Sequence, residues 1–219
     1  MLHKTLSVVV AAVVLAGCQF DQEAPAPQGE KTLYQRLGTR ETLDLQPTSL
    51  IGVVAYDKDG NVLPCVQPTV TGGDAVLRAT KEGLIIVEAL DIDLSDVEIR
   101  PGVLYSEKVQ LTDIHMRLGT QLVFDPTWGN AELSAAGGGN ADLLLDWSVL
   151  DDSGEVYPLA TQKLRDADFA VSVSLNYDGT IQAAVSTSVE GELGTFANRI
   201  SLSDFSMAVN AATPAPTVN

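Results

Sequence analysis

The chain is poor in the residue types that most often carry chemistry in proteins. Its 219 residues include two cysteines, two histidines and 5% aromatics, and 13 lysines and arginines stand against 29 aspartates and glutamates. The resulting net charge of −16 at pH 7 repels phosphate backbones and anionic lipid surfaces. We therefore exclude nucleic-acid binding, and we expect no basic face that docks on a membrane.

The first seventeen residues have the composition of an export signal. Lys4 precedes an apolar run from Leu6 to Leu15. This run is well short of the roughly 20 apolar residues that a membrane-spanning helix needs. We therefore predict that residues 1–17 are a signal peptide that is removed from the mature protein.

The signal ends in Leu15, Ala16, Gly17 and Cys18, a sequence that resembles the lipobox of bacterial lipoproteins. The resemblance implies that Cys18 becomes the first mature residue and that its thiol carries a diacylglycerol. Two or more acyl chains hold a protein stably on a membrane. In enterobacteria-like systems, Gln19 after the cysteine implies release to the outer membrane. We expect a protein anchored by lipid in the cell envelope. These residues do not decide between the periplasmic face and the surface face of the membrane.

Removal of the signal leaves a mature chain whose fold must be stabilised by packing, since no intrachain disulfide is available. This chain has 202 residues, of which 12 are basic and 29 acidic, so its charge is −17. Because lipidation consumes Cys18, Cys65 has no partner for an intrachain disulfide. Cys65 follows Val62, Leu63 and Pro64, and we interpret it as a small buried hydrophobic residue.

The composition divides the mature chain into four segments. Residues 18–29 contain two prolines, a glycine and several polar residues, which indicates a flexible lipidated tether. Residues 30–48 form a helical or irregular lead-in, in which Leu33, Tyr34 and Leu37 share one face of a short helix. Residues 49–210 form a single β-domain, and residues 211–219 a disordered tail.

The β-domain is predicted from alternating hydrophobicity. Leu143, Leu145, Trp147 and Val149 alternate with mostly polar residues, and the same period continues through 169–175 and 181–189. Glycine-containing turns at 57–61, 151–154 and 176–179 separate such runs. We predict an all-β fold, either an antiparallel β-sandwich or a curled, partly closed barrel, with a short N-terminal helix.

One irregular pattern recurs three times, at residues 92–99, 109–116 and 200–207. Each copy reads apolar, any, apolar, Ser or Thr, Asp, apolar, any, apolar, so the apolar parity changes in its middle. A β-bulge absorbs the extra residue and bends the strand. The alternative is that Asp96, Asp113 and Asp204 converge as oxygen ligands for calcium, which needs 6 to 8 oxygens in one place.

Other motifs favour structural interpretations. Asp57, Asp59 and Gly60 do not have the spacing of an EF-hand loop, and the glycine cluster 137–139 is predicted to be a loop that holds no nucleotide. His115 is the single histidine of the mature chain, which excludes two-histidine metal sites. Asp113 and His115 could share a strand face, but we interpret His115 as an exposed polar residue. We predict no catalytic residue, no metal and no cofactor.

Two functions fit these features. The first is a non-catalytic envelope lipoprotein whose β-domain is a structural or protein-binding module that makes contact through exposed strand edges. The second is a carrier of an apolar ligand such as a lipid, held in a groove of the curled sheet. An interior packed by Trp147, Phe169 and Phe205 favours the first, and a lined cavity favours the second.

Overall fold

The computed structural model describes residues 32–47, 50–56, 61, 68–101, 108–129, 132–195 and 198–214. They belong to one compact unit that spans Lys31–Asn219. The signal peptide, Cys18, the tether, the turn at 57–60 and Cys65 lie outside the described residues. No helix in the described part is both long enough and apolar enough to cross a membrane.

The described residues form one short helix and thirteen strands. The helix is α1 (Leu33–Leu37). The strands are β1 (Glu41–Leu45), β2 (Leu50–Tyr56), β3 (Val70–Ala79), β4 (Ile85–Leu94), β5 (Val97–Ile99), β6 (Val109–Leu118), β7 (Leu122–Phe124), β8 (Thr127–Gly129), β9 (Ser134–Leu150), β10 (Val156–Pro158), β11 (Gln162–Leu175), β12 (Ile181–Thr195) and β13 (Asn198–Ala212).

Eight of these strands close into an antiparallel barrel. Its order around the ring is β1, β3, β4, β6, β9, β11, β12 and β13, and β13 pairs with β1 to close it. The remaining strands add to this ring: β2 pairs with β13, β5 with β6, β7 with β4, and β8 and β10 with β9. The all-β prediction is confirmed, and the sheet is a closed barrel. The ring begins with β1, which lies inside the predicted lead-in.

Helix α1 lies across one end of the barrel. Thr32 and Gln35 form a capping box, in which each side chain accepts a hydrogen bond from the other residue's backbone N–H. The Tyr34 hydroxyl donates to the Thr80 carbonyl (3.1 Å), in the β3–β4 turn. Arg36 Nη1 donates to the Gly179 carbonyl (3.1 Å), in the β11–β12 turn. We call this the α1 end and the opposite one, near β5 and β10, the distal end.

The predicted alternation describes the barrel wall. In β9, Leu143, Leu145, Trp147 and Val149 are buried in the core, whereas Leu144 and Asp146 between them are partly exposed. The turns at 151–154 and 176–179 join β9 to β10 and β11 to β12, as predicted. Apolar side chains therefore fill the barrel interior, and polar side chains cover most of its outer face.

Two of the three irregular repeats are β-bulges. In β6, the register against β9 shifts between Thr112 and His115, and Asp113 has a positive φ of 51°. In β13, the register shifts between Leu202 and Asp204. The first repeat differs from the expectation. Ser95 and Asp96 lie between two separate strands, β4 and β5, instead of forming a bulge inside one strand.

Another bulge lies in β11, where the register against β9 shifts between Leu164 and Ala167. Asp166 has a φ of 54° at this point, and its backbone N–H donates to Asp142 Oδ1 (3.2 Å). The local sequence has the apolar, polar, Asp, apolar order of the repeat, with Arg165 in place of Ser or Thr. The strict form of the repeat therefore missed it.

The glycine cluster is part of strand β9, so the prediction of a loop at 137–139 is wrong. A Cβ atom on Gly137 would collide with the Phe124 ring, and one on Gly138 would collide with the Phe169 carbonyl oxygen. Glycine is needed because neighbouring groups approach the strand closely, and the chain still makes regular pairs with β11. The glycines, which are typical of a loop, are thus explained by close packing around a strand.

Candidate functional site

The residue with the clearest predicted chemistry, Cys18, lies outside the described residues, so its lipidation stays a prediction. The structure does test the calcium hypothesis. Asp96 and Asp113 are exposed and lie near one corner, because the β4–β5 interruption faces the β6 bulge. Asp204 belongs to β13, which is four strands away from β6 in a ring of eight. The three aspartates therefore do not converge, and the calcium hypothesis is wrong.

His115 contacts aspartates of β4 rather than Asp113. Its Nδ1 atom lies 2.9 Å from Asp93 Oδ1, and its Nε2 atom lies 3.4 Å from Asp91 Oδ1. The bulge places His115 directly opposite Asp93 on one side and Asp146 on the other. The imidazole, about one-third exposed, thus bridges two carboxylates on the outer surface. The pairing of Asp113 with His115 that the spacing suggested is not made.

Aspartates also occupy successive strands on the outer face. In the register, Asp44 of β1 is opposite Asp74 of β3, and Asp74 is opposite Asp91 of β4. Partial burial raises the pKa of Asp74 above 3.8, and repulsion from Asp91 and Asp44 raises it further, while Arg40 acts in the opposite direction. Like charges directly opposite in a sheet are destabilising. We call Asp44, Asp74, Asp91 and Asp93 the aspartate row.

Beyond the row, the negative charge of Asp146 is balanced by a neighbouring arginine. The pKa of Asp146 is lowered, first by the hydrogen bond that the Thr161 hydroxyl donates and also by Arg117. Arg117 Nη2 lies 3.1 Å from Asp146 Oδ2. The aspartate row and this ion pair form a polar belt over five strands. Within the described part of the chain, no group of three or more His, Cys, Asp or Glu side chains is arranged to hold a metal ion.

The barrel interior offers a different chemistry at Trp147. Its side chain is 7% exposed and belongs to the core cluster. Its Nε1–H finds no hydrogen-bond acceptor within the described part of the chain. A buried donor left unpaired costs about 1–3 kcal/mol, and natural proteins rarely tolerate one without a water or ligand to accept from it. The Thr112 hydroxyl oxygen is also buried without a partner in this part of the chain, so Trp147 and Thr112 are the two residues that this criterion identifies.

The surroundings of Trp147 are hydrocarbon. Its position in β9 is opposite the bulge at Asp113 and Ile114, and Ile114 in turn pairs with Leu94 of β4. On the other side, the Leu159 backbone N–H donates to the Trp147 carbonyl (3.0 Å). Leu94, Ile114 and Trp147 belong to one core cluster, and Leu159 packs against it. The side chains in register with Trp147 are therefore apolar.

Core side chains at both ends of the interior are almost completely buried. At the distal end, Leu94, Ile114 and Trp147 retain 6–8% exposure. At the α1 end, seven apolar side chains have no exposure and so contact no void that could hold a water molecule. These fully buried side chains are Leu33, Leu37, Leu43, Leu77, Ile85, Leu143 and Ile181. Ala79 and Phe124 at the same end retain 8% and 5%, and Ile92 near the distal end retains none, so these exposures do not distinguish a filled end from an open one.

Sequence patterns could not have found these features. The alternation in β9 correctly placed Trp147 inside, but whether an indole N–H has an acceptor depends on neighbours brought by other strands. The aspartate row requires the register of three strands, because its members are separated by up to 49 positions along the chain.

The chain matches no protein-family model, no curated protein and no solved structure.

Proposed function

We propose that this protein is a lipid-anchored lipoprotein of the cell envelope whose barrel is a non-catalytic binding module for another envelope protein. The lipobox resemblance at Cys18 supports the anchor. The closed barrel with its filled α1 end supports the module, because such a scaffold holds its outer strands rigidly. The acidic outer surface, with its ion-paired aspartates, favours contacts made by protein over contacts with an anionic membrane surface.

The observation that carries this proposal is strand β10. In the described part of the chain it pairs with β9 alone, so its other edge has free backbone groups. All three of its side chains are exposed, including Val156 (50%) and Tyr157 (44%). A strand edge with exposed apolar side chains can pair with an extended segment of another protein. Pro158 limits such pairing to a short stretch.

Photocrosslinking in the envelope tests the contact. A photoreactive phenylalanine analogue replaces Tyr157 in one variant and Tyr177 in a matched control. Tyr177 is 76% exposed and lies at the α1 end. We expect one reproducible crosslinked species from position 157 and none from position 177. Equal crosslinking at both positions, or none at either, contradicts a partner at β10.

The anchor is tested separately by Cys18→Ser. Serine cannot form the thioether, so the protein should leave the membrane fraction. Continued membrane association with an uncleaved leader would contradict the lipoprotein assignment. This outcome would not affect the β10 contact, because the crosslinking experiment reports on the barrel itself.

A second candidate function is supported by the unpaired Trp147 Nε1–H. The barrel would carry an apolar ligand in its interior, in place of some of the contacts that its side chains now make with one another. Eight-stranded barrels have interiors wide enough either for side chains alone or for one small ligand. Native mass spectrometry of the unlipidated chain, followed by lipid extraction, separates these cases.

A further inference from the structure

We infer that the partner of β10 is a cationic, extended segment of another protein. This segment pairs with the Val156 backbone and places lysine or arginine side chains against the acids beside the strand. The inference rests on the protein contact at β10 proposed above and specifies the chemistry of the partner.

The hydrogen bonds that flank β10 show which of its backbone groups face β9. The Leu159 N–H donates to the Trp147 carbonyl of β9 (3.0 Å), and the Glu155 carbonyl accepts from the Asp151 N–H (3.1 Å). Backbone groups of successive residues in a strand point to opposite edges, so those of Tyr157 also point to β9. The alternate residues of β10 therefore turn their backbone groups to the free edge.

This free edge offers more acceptors than donors. Its groups are the N–H and carbonyl of Val156 and the carbonyl of Pro158, because proline has no N–H. One partner residue can exchange two hydrogen bonds with Val156, and a second can donate to the Pro158 carbonyl. In the described part of the chain no strand pairs with this side of β10. The edge therefore suits a short segment that supplies N–H donors.

The apolar side chains of the partner are matched by those of β10. Tyr157 lies opposite the buried Val149, so its ring extends the inner face of the sheet to the free edge. Val156 lies opposite Leu150, on the outer face. An added strand would cover part of both exposed side chains, and this burial favours binding.

The positive charge of the partner follows from the acids at the start of β10. Asp152 and Glu155 are exposed, and Asp151 is partly exposed. None of the three forms an ion pair with a cation among the described residues. The hydrogen bond that the Ser153 hydroxyl donates (2.7 Å) is the first of several causes that lower the pKa of Asp151. Negative charge without a counter-ion therefore lies beside the free edge.

One of these acids is held beside an aromatic ring. The Tyr157 hydroxyl donates to Glu155 Oε2 (2.6 Å), and both side chains lie on the same face of the strand. A lysine or arginine of the partner could lay its stem on the ring and place its charged group against the carboxylate. Such a cation gains from the face of the ring as well as from the ion pair.

A second copy of this chain is the competing occupant. Each mature chain has 12 basic and 29 acidic residues and a net charge of −17, which opposes association between copies. A partner of opposite charge is attracted to the same surface and is steered to it at low salt. The charge of the chain thus favours a basic partner over a dimer.

Peptide binding to the mature, lipidated chain in an uncharged detergent tests the inference. The probes are eight-residue peptides in which valine alternates with lysine, with serine or with glutamate. At low salt the lysine peptide should bind saturably, about tenfold more tightly than the serine peptide, and the glutamate peptide should not bind. This preference should shrink in 1 M salt. A lysine peptide methylated at every backbone nitrogen keeps its charge and should not bind, because it cannot donate to the edge.

Variants of β10 locate the binding. Val156→Pro removes the single N–H of the free edge, and Pro158→Val adds one. The affinity for the lysine peptide should fall about two- to tenfold in the first variant and rise in the second. Glu155→Gln should lower it about two- to fivefold at low salt. Its matched control is Glu82→Gln, which removes an exposed acid from the β3–β4 turn at the α1 end and should have no effect.

Several outcomes overturn the cationic partner. Equal binding of the lysine and serine peptides, or equal losses in Glu155→Gln and Glu82→Gln, would show that charge beside β10 plays no part. Binding that neither Val156→Pro nor Pro158→Val changes would lie elsewhere on the acidic surface. Dimers of the protein alone that Val156→Pro abolishes in ultracentrifugation would identify a second copy as the occupant. If Val156→Pro does not fold, the other variants decide.

The outcomes also separate this inference from the contact on which it rests. If the serine peptide binds as well as the lysine peptide and Val156→Pro weakens both, β10 pairs with a strand and the charge of the partner is wrong. If no peptide binds, the inference is overturned, and the crosslink from position 157 decides the contact by itself. Absence of both binding and crosslink contradicts both.

Discussion

Replacing Asp74 by asparagine should stabilise the protein at neutral pH. Asp74 lies between Asp44 and Asp91 on neighbouring strands, in direct register with both. Side chains in such positions are about 5 Å apart, and two unit charges at that distance repel by about 0.8 kcal/mol even when screened as in water. Two such pairs, offset in part by Arg40, give a penalty of about 1 kcal/mol that Asp74→Asn removes.

The sign of the pH dependence follows from the raised pKa of Asp74. Because the folded protein binds this proton more tightly than the unfolded chain does, the penalty is present above the folded pKa. It disappears once the pH falls well below 3.8, where both states are protonated. The variant should therefore unfold about 2–4 °C higher than the wild type at pH 7, and with no difference near pH 3.

Thermal and urea unfolding at both pH values, in low and in 1 M salt, measure this effect. The control is Asp152→Asn, an exposed residue of the β9–β10 turn that removes one negative charge from the protein without altering the row. High salt should reduce the gain of Asp74→Asn because it screens exposed charges. A gain no larger than that of the control, or one that persists at pH 3, would refute the assignment to cross-strand repulsion.

Three further predictions concern the fold. Leu37→Ala, in the fully buried face of α1, should lower the free energy of unfolding by about 2–5 kcal/mol in urea titrations. The exposed Gln35→Ala should cost much less, and similar losses would contradict the packing of α1 against the barrel core. Gly137→Ala should be destabilising by calorimetry, because the added methyl group collides with the Phe124 ring, and unchanged stability would contradict that close contact. Asp146→Asn should destabilise the protein at pH 7, because the lowered pKa marks a stabilising carboxylate, and the difference should shrink as the pH falls below 3.8; a constant difference would contradict that reasoning.

The sequence was sufficient for the local features of this fold. Period-two hydrophobicity identified the inward faces of β9, β11 and β12, and glycine turns identified two hairpins, because both signals come from residues close together in the chain. The helix α1 was also predicted from its apolar spacing. The choice between a sandwich and a barrel could not be made in this way, because closure depends on the pairing of β1 with β13, which are about 170 residues apart.

The site was harder to predict for a related reason. The sequence suggested that three aspartates might share a cation because they occur in equivalent positions of a repeat. Equivalent sequence positions need not be neighbours in a barrel, and here β6 and β13 lie on opposite sides of the ring. The aspartates that do meet, in the aspartate row, occur in no common motif. Their contact follows from strand register alone.

The bulge at Asp113 determines which side chains of β6 face the core. Strict alternation after Leu111 would turn Asp113 and His115 inward, since a shift of one residue exchanges the faces of a strand. The extra residue instead keeps Ile114 and Met116 in the core and leaves His115 outside, against Asp91 and Asp93. An aspartate is suited to this place because it tolerates the positive φ of 51°. The same bulge thus places the apolar side chain of Ile114 across from Trp147 and keeps His115 on the outer surface.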